Sequence, residues 1–179
     1  MPDFWNGDFM AIITTSRLTL SLFQPTDWSF FLALRENPEI MRYMADITPE
    51  KDTRLLFARR LVSKHTFVIR LHNSDKPLGD IGLQISHHYP QEADIGYTVL
   101  PEAQGRGIAT EALYAVCDYA FTHTSVKAIN AYALAENHAS VRVLEKRGFT
   151  RTQVLENAYE VNGIRYDEWV YRLESEMGR

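Results

Sequence analysis

The chain has 179 residues, of which 45% are hydrophobic and 23% charged, which fits a single globular domain over residues 1–179 and excludes a disordered chain. The formal net charge of −4 argues against nucleic acid as a partner, because a phosphate backbone requires a basic surface. No apolar run is long enough to span a bilayer, and the start of the chain, with Asp3, Asn6 and Asp8, lacks a basic segment leading into an apolar stretch, so we expect a cytoplasmic protein with no membrane partner.

The first part of the chain predicts a strand followed by three helices. Residues 17–22 alternate apolar and polar side chains, which is typical of a half-buried strand. Helices are predicted over 25–36, 39–44 and 49–63. The third has Thr48 as its cap and a proline at its first helical position.

The middle of the chain predicts a meander and a crossover. Residues 66–69, 78–86 and 93–100 are strand-like and separated by short turns, so they pair as an antiparallel meander. From Ile108 to His123 apolar residues recur at helical spacing, and residues 126–133 form a strand again. The strands before and after this helix are expected to be parallel, joined by a right-handed crossover.

The last part of the chain adds a helix and a hairpin. The helix covers 139–146 and ends before Gly148, a suitable C-terminal cap. Strands over 149–160 and 164–173 are joined by Asn162-Gly163, a strong hairpin signal. The predicted fold is therefore α/β of the α+β type. It has a mixed, mostly antiparallel central sheet of about seven strands with one parallel βαβ crossover, flanked by helices.

A glycine-rich segment, Gln104-Gly105-Arg106-Gly107-Ile108-Ala109, connects the third meander strand to the following helix. The first N–H groups of a helix have no partner inside it, and the helix dipole places partial positive charge there. The two glycines either leave room for a phosphate at those groups or merely let the chain turn. No Gly-Lys-Ser or Gly-Lys-Thr is present, and position 110 is threonine where a dinucleotide fold needs glycine. The segment indicates a phosphate-bearing ligand other than a nucleoside triphosphate or a dinucleotide.

The single cysteine, Cys117, lies on the apolar face of the same helix. It cannot form an internal disulfide, and no histidine stands beside it in sequence to activate a thiolate. A small buried hydrophobe is the commonest role of a free cysteine, so we expect Cys117 in the core.

Two segments of the chain resemble the GNAT superfamily of acetyl-CoA-dependent N-acetyltransferases. Gln104, Gly107 and Ala109 match its signature, which closes a strand and opens a helix. Asn137 and the segment 144–149 look like its later motif, in which an asparagine opens a helix that ends in Gly-Phe. The resemblance implies the GNAT fold, acetyl-CoA as the donor and no metal ion.

The branch that the chain resembles is the RimJ/RimL type, the ribosomal-protein N-terminal acetyltransferases and their relatives of other specificity. Three segments carry this resemblance: 15–20, 37–43 and 94–97. With the two motifs above, the resemblance extends from about residue 14 to residue 173.

In this family two parallel strands splay apart around the pantetheine arm of acetyl-CoA. The resemblance implies that the arm pairs with backbone at Tyr97, Thr98 and Val99, where an N–H group polarises the thioester carbonyl. The turn would bind the pyrophosphate, and Asn137 and Ser140 would lie near CoA. The implied residues of the turn are Gln104, Gly105, Arg106, Gly107, Ile108, Ala109 and Thr110. The Arg106 side chain either contacts a phosphate or points into solvent.

The chemistry needs a proton donor for the departing thiolate. Many GNAT enzymes use a tyrosine at the position that is Leu144 here. The RimJ/RimL branch implies Ser140 as the acid. The alternative is that Ser140 has no catalytic role and merely occupies the first turn of its helix, where serine is common. Asn137 contacts the pantetheine arm, caps that helix, or does both.

The chemistry also needs a proton acceptor for the amine, and Asp94 is the expected base. In other branches the carboxylate corresponds to Ala93, which faces the other side of the strand, so Asp94 could instead pair with an incoming ammonium. His87 is an alternative base, and proton loss to water with no single base stays open. His87 and His88 are expected to point opposite ways on a strand end, which argues against a shared metal ion.

The predicted reaction is acetyl transfer to a primary amine by direct attack on the thioester in a ternary complex. The preferred acceptor is the N-terminal amine of a ribosomal protein, on branch resemblance alone. The alternatives are a polyamine or aminosugar acetyltransferase and a non-catalytic module that binds acyl-CoA. The chain is expected to be a monomer or a homodimer.

Acceptor choice would come from three places by family resemblance: the region of Trp28, residues 37–44, and the hairpin at Asn162-Gly163. Aromatic side chains either line such a groove or belong to the core, as aromatics in strands more often do. These are Trp28, Tyr97, Tyr132 and Tyr159.

Overall fold

The structure is a computed structural model and describes residues 11–176. Asp3, Asn6 and Asp8, on which the expectation about the start of the chain rests, lie outside the described residues. Between residues 11 and 176, no helix has both the length and the apolar character that crossing a membrane requires.

The described strands form a single mixed sheet. They are β1 (Ala11–Thr14), β2 (Leu18–Leu22), β3 (Thr66–Leu71), β4 (Pro77–Ile85), β5 (Glu92–Val99), β6 (Ala128–Leu134), β7 (Thr150–Val161) and β8 (Ile164–Glu174). The order is β1-β2-β3-β4-β5-β6-β8-β7, with β5 and β6 parallel and the other neighbours antiparallel. The meander and the βαβ crossover are confirmed. The sheet has eight described strands rather than about seven, because β1 is four residues long and too short to show a period-two pattern.

The helices are α1 (Trp28–Glu36), α2 (Pro38–Met41), α3 (Glu50–Val62), α4 (Ile108–His123) and α5 (His138–Arg147). The first is shorter than predicted because Pro25–Asp27 form a separate 3-10 turn, and α2 has only four residues. The third begins one residue later than predicted. Pro49 has an extended ψ of 149° and stands before the helix, and no side chain caps this end, so Thr48 is not the cap.

The two predicted chain reversals near the C-terminus are confirmed. Gly148 follows the last residue of α5 and caps it through its backbone N–H group. Asn162 and Gly163 join β7 to β8 with φ values of 52° and 76°, and positive φ at both central residues is the geometry of a two-residue hairpin turn.

The two faces of the sheet are covered by different helices. One face packs against α4 in the main core, which includes Cys117. Its predicted core position is confirmed, and burial raises the pKa of the thiol to about 12. The opposite face packs against α1 and α3 around Phe31, Phe57 and Val68. Trp28 lies against Phe57 with 5.3 Å between ring centroids, so it belongs to this aromatic cluster rather than to an acceptor groove.

A buried ion pair ties the first helical turn to the sheet on the α1 and α3 face. The guanidinium of Arg70 donates to the Asp27 carboxylate, to Ser21 Oγ at 3.1 Å and to the Asp75 carbonyl at 3.1 Å. Asp27 is 2% exposed and Arg70 is 3% exposed. The second carboxylate oxygen of Asp27 accepts from the Gln24 N–H group at 2.8 Å. Such a pair holds the start of α1 in place because neither charge can be left alone at that depth.

We expect Asp27→Ala to lower the free energy of unfolding by about 3–5 kcal/mol, because it leaves the Arg70 charge buried without its carboxylate. The matched control is Glu50→Ala, which removes the exposed Glu50–Arg54 pair and should cost no more than about 0.5 kcal/mol. Urea unfolding of both variants measures the difference. Equal losses in the two variants would contradict the structural role of the buried pair.

Candidate active site

A gap opens in the middle of the sheet, between β5 and β6. The two strands pair in parallel from Glu92 and Ala128 to Ile95 and Ala131. Beyond that point β5 continues against β4 and β6 continues against β8. Their facing edges are therefore unpaired between residues 96–99 and residues 132–134.

Two N–H groups of β5 point into this gap. The Leu100 N–H group donates to the Leu78 carbonyl on the β4 side, and in an antiparallel pair the direction alternates from one residue to the next. The N–H groups of Tyr97 and Val99 consequently face β6, whereas that of Thr98 faces β4. The Val99 carbonyl is occupied by Gln104, whose amide donates to it at 3.1 Å. Of the three residues predicted at this strand end, two present a backbone donor to the gap.

The glycine turn at the end of β5 is an open helix N-terminus. Gly105 and Gly107 have φ values of 72° and 75°, which favour glycine, and no side chain caps α4. The first backbone bond into the helix runs from the Glu111 N–H group to the Gly107 carbonyl at 3.0 Å. Within residues 11–176, the N–H groups of 105–110 have no hydrogen-bond partner. Six consecutive free donors at the positive end of a sixteen-residue helix fit a diphosphate.

The Glu111 side chain links the segment between β1 and β2 to the glycine turn. Its carboxylate accepts from Thr15 Oγ1 at 2.6 Å, from Ser16 Oγ at 3.2 Å and from Arg17, through backbone N–H at 3.0 Å and Nε at 2.7 Å. Burial alone would raise the pKa of Glu111, but the Thr15 and Arg17 hydrogen bonds and the Arg17 charge lower it to about 2. Arg17 also donates to the Arg106 carbonyl at 2.9 Å. No sequence signal pointed to Glu111, whose partners at residues 15–17 lie more than ninety positions away.

A pair of hydroxyl groups lies beside the gap on the α4 side of the sheet. Tyr97 Oη is 2.9 Å from Ser140 Oγ and donates to the Ser140 carbonyl at 3.3 Å. The Asn137 side chain caps α5 by accepting from the Ser140 N–H group, so its predicted capping role is confirmed. Burial raises the pKa of Tyr97 to about 12, against the hydrogen bond from Ser140. Leu144 is 1% exposed and packs in the core.

Asp94 lies on the opposite face of β5. Ala93 is buried in the main core, whereas the exposed Asp94 lies beside Asn130 of β6. Partial burial raises the pKa of Asp94; a hydrogen bond from Asn130 opposes the shift and the charge of Glu92 adds to it. Asp94 is therefore an accessible carboxylate with a raised pKa, on the face of β5 that points away from the main core.

Two cavities meet at Asp94. The first, of about 300 Å³, is bordered by α1, α3, β4 and β5. The second, of about 400 Å³, includes Tyr132, His87 and His88. Both histidines follow the end of β4 on a bend rather than on the strand itself, and both border this cavity. In the described chain, no three His, Cys, Asp or Glu side chains are grouped as metal ligands.

The segment after α2 and the C-terminal hairpin, two of the regions predicted to select the acceptor, lie against each other. Tyr159 Oη donates to the Met44 carbonyl at 2.5 Å, and the Asn162 N–H group donates to Asp46 Oδ1 at 2.6 Å. Met44 also borders the first cavity. These contacts close one side of the region around the gap.

Comparisons with known proteins agree with this geometry. Residues 17–150 match the family described as the acetyltransferase (GNAT) domain. The uncharacterized N-acetyltransferase YoaA of Bacillus subtilis is 30% identical over 169 residues, covering 90% of this chain and 96% of YoaA. The spermidine N(1)-acetyltransferase of Vibrio cholerae is 28% identical over 169 residues, covering 89% and 95%.

Solved structures share the fold. A crystal structure of spermidine N-acetyltransferase from Vibrio cholerae in complex with CoA and spermine has a TM-score of 0.80 at 24% identity, covering 89% of this chain and 96% of that one. The acetyltransferase from Salmonella typhimurium that modifies the N-terminal serine of ribosomal protein L7/L12 has a TM-score of 0.78 at 19% identity, covering 90% and 97%. At these identities the likeness shows the fold and leaves the RimJ/RimL branch a prediction.

The glycine turn can be tested with two glycines in the same backbone state. Gly105 and Gly163 have φ values of 72° and 76°, and a Cβ atom added at either meets nothing within 4 Å. Alanine should cost roughly 1–2 kcal/mol of stability at both positions, because each is left-handed. Only Gly105→Ala should weaken CoA binding, by about tenfold or ~1.4 kcal/mol, since its methyl group enters the space in front of the turn. Calorimetric titration with CoA measures this, and equal CoA affinity in both variants would contradict a diphosphate site here.

Proposed function

The chain belongs to the GNAT acetyltransferase family and is an acetyltransferase, and from that premise we propose that it transfers the acetyl group of acetyl-CoA to a small primary amine by direct attack on the thioester. The observation that carries the proposal is the gap between β5 and β6, which leads directly to the open N-terminus of α4. An extended arm and a diphosphate require this combination of a free strand edge and free helix donors.

Acetyl-CoA, when bound, supplies an activated acyl carbonyl and a thiolate leaving group. The residues of this chain would bind it at two places: the N–H groups of 105–110 at the diphosphate, and those of Tyr97 and Val99 in the gap. Because these donors belong to a strand and a helix end, they need little reorganisation when charge develops on the carbonyl oxygen. The donor side of the site is thus made chiefly of backbone.

Ser140 is the proposed proton donor to the leaving sulfur, and the proton that it gives up would be replaced from water, since the residue is only partly buried. When the Tyr97 hydroxyl turns its proton from the Ser140 carbonyl at 3.3 Å to Ser140 Oγ at 2.9 Å, the Ser140 proton is free for a third partner. The raised pKa of Tyr97 keeps its own proton in place at neutral pH. Tyr97 therefore acts as a positioning residue, and Ser140 as the group that meets the thiolate.

Asp94 is the proposed partner of the acceptor amine. It stands on the face of β5 opposite to Tyr97, next to both cavities. A carboxylate with a raised pKa can hold an incoming ammonium and accept a proton from it near neutral pH more readily than an ordinary aspartate. The two proton transfers would then take place on opposite faces of the same strand.

A small acceptor is favoured by the first cavity, whose volume of about 300 Å³ suits a small molecule. The spermidine enzyme of Vibrio cholerae, a relative by sequence, supports the same class. The second candidate is the N-terminal amine of a protein, which the resemblance over residues 15–20 and 37–43 favours. Incubation with labelled acetyl-CoA, a panel of small amines and ribosomal-protein peptides separates the two, and CoA binding without transfer to any acceptor would favour a non-catalytic module instead.

We expect Ser140→Ala to lower kcat at least about tenfold with little change in KM for acetyl-CoA, because general acid catalysis contributes this much or more. Tyr97→Phe should lower kcat less, and the double variant should be no slower than Ser140→Ala alone, because Tyr97 acts through Ser140. Ser125→Ala, which removes an exposed hydroxyl bonded to the Pro90 carbonyl, is the control. Steady-state kinetics measures these rates, and additive effects of the two substitutions would contradict the proposal that Tyr97 acts through Ser140.

For Asp94 we expect kcat/KM to decline as the pH falls through a pKa above the usual aspartate value, because the ionised carboxylate is the active form. Asp94→Asn should lower kcat/KM at neutral pH and abolish this acidic limb. A carboxyl whose pKa is raised on folding costs stability once it is ionised, so the variant should unfold at no lower urea concentration than the wild type. The exposed residue Asp52, on the first turn of α3, supplies the control Asp52→Asn, and an unchanged pH profile in Asp94→Asn would refute the role.

A further inference from the structure

The inner end of the first cavity holds two arginines and one aspartate. Arg35 comes from the last turn of α1, Arg60 from the last turn of α3 and Asp80 from the middle of β4. Asp80 is 4% exposed, and its carboxyl is hydrogen-bonded by Thr98. The α1 and α3 face of the sheet thus carries a compact cluster of charge next to the proposed acceptor position.

The two guanidinium groups have few of the partners they need. The nearest carboxylate oxygen to Arg35 is Asp80 Oδ2 at 3.9 Å, beyond hydrogen-bond distance, and the Arg35 plane otherwise lies over the Phe31 ring at 5.0 Å. The Nε atoms of both Arg35 and Arg60 are buried with no hydrogen-bond partner among the described residues. Each guanidinium has five N–H donors, so this end of the cavity has donor capacity that the described protein atoms do not fill.

The contrast with Arg70 shows that the fold does satisfy a buried arginine where no ligand is involved. Arg70 lies on the same face of the sheet and donates to Asp27, Ser21 and the Asp75 carbonyl. Arg35 has a side chain that is 13% exposed and no comparable set of bonds. Burial is the main cause that lowers the pKa of Arg35, and the charge of Asp80 opposes it. A further negative group at this point would relieve the cost of burying the guanidinium.

The charge of the cavity changes sign along its length. In the register of β4 and β5, Asp80 lies opposite Thr98 and Asp94 lies opposite Gln84, so the two ends are four residues, roughly 13 Å, apart along the strands. Two arginines face one carboxyl at the inner end, while Asp94 places a carboxylate at the outer end. Glu92 borders only the second cavity and is paired with Arg172 at 3.1 Å. This pattern complements a molecule with an ammonium at one end and an anion at the other.

We propose that the acceptor is a primary amine that also carries an anionic group, a carboxylate or a phosphate, which Arg35 and Arg60 bind while the amine lies towards Asp94. This inference rests on the proposed function and narrows its substrate class. A polyamine, with a cationic group at each end, would place positive charge against the two arginines. The chain would therefore differ in specificity from its spermidine-acetylating relative.

The test compares amines that differ only in the anion. 6-Aminohexanoate and hexylamine form the carboxylate pair, glucosamine 6-phosphate and glucosamine form the phosphate pair, and spermidine is the cationic reference. In at least one pair, we expect the member with the carboxylate or phosphate to have a kcat/KM at least tenfold above that of its partner without the anionic group and above that of spermidine. The pair that shows the preference identifies the anion. Preference for spermidine, or equal rates within both pairs, would overturn the inference.

Substitutions of the two arginines test whether they cause the preference for an amine with an anionic group. Arg60→Met should raise KM for the preferred anion-bearing amine at least tenfold while leaving KM for acetyl-CoA and for the partner amine without the anionic group unchanged. Arg35→Met should act in the same direction. Arg54→Met removes an arginine of α3 that stacks on Trp28 outside the cavity and should leave the preference intact. An unaltered preference in Arg60→Met and Arg35→Met would refute the assignment.

Direct binding separates this inference from the proposed function. Calorimetric titration of CoA-loaded protein with 6-aminohexanoate and with glucosamine 6-phosphate needs no turnover. If either probe binds to the wild type but not to Arg60→Met, the anion site is supported even when no amine is acetylated. A lack of acetylation in that case would contradict only the proposed function. If neither probe binds, the proposed anion site is contradicted, whatever the acetylation results.

Discussion

The structure depends on one break in hydrogen bonding: the parallel pairing of β5 and β6 stops after Ile95 and Ala131. Both strands keep their outer partners, so the sheet remains continuous at the pairing end while its centre opens. The opening exposes N–H groups at Tyr97 and Val99 without unfolding a strand. Because β5 leads straight into α4, the same strand that frees these donors also delivers the helix N-terminus to one end of the gap.

Because side chains alternate along β5, the proposed proton donor and the proposed partner of the amine lie on opposite sides of the sheet. Tyr97 points to the α4 side and meets Ser140 at the start of α5, whereas Asp94 and Thr98 point to the side covered by α1 and α3. In the proposed mechanism, the proton leaving the amine and the proton reaching the thiolate would therefore be handled in separate environments. The strand itself provides the common support, which explains why residues so close in sequence have different proposed roles.

Buried charge on the α1 and α3 face takes two forms. Arg70 is hydrogen-bonded through all three of its nitrogens and Asp27 through both of its carboxylate oxygens, and the pair holds the first helical turn, as a structural ion pair requires. Asp80 is 4% exposed, Arg35 and Arg60 are partly buried beside a cavity, and the Nε atoms of both arginines are buried without a partner among the described residues. Arg70 makes hydrogen bonds through Nε and both terminal nitrogens, whereas Arg35 and Arg60 border a cavity with buried Nε atoms that have no partner among the described residues. This difference is the basis for the proposed acceptor class.

The sequence alone determined the order of elements, the meander, the crossover, the glycine turn and the hairpin at Asn162-Gly163, because each depends on neighbours within a few residues. It also indicated the family through Gln104, Gly107 and Asn137. Tertiary structure decided what depends on distant contacts: the fourfold hydrogen bonding of Glu111 to residues 15–17, the Tyr97–Ser140 pair, and the meeting of Arg35, Arg60 and Asp80. Those residues are separated by tens of positions, and no periodic pattern or local spacing encodes such contacts, since only the packing of α1 and α3 on the sheet brings the charges together.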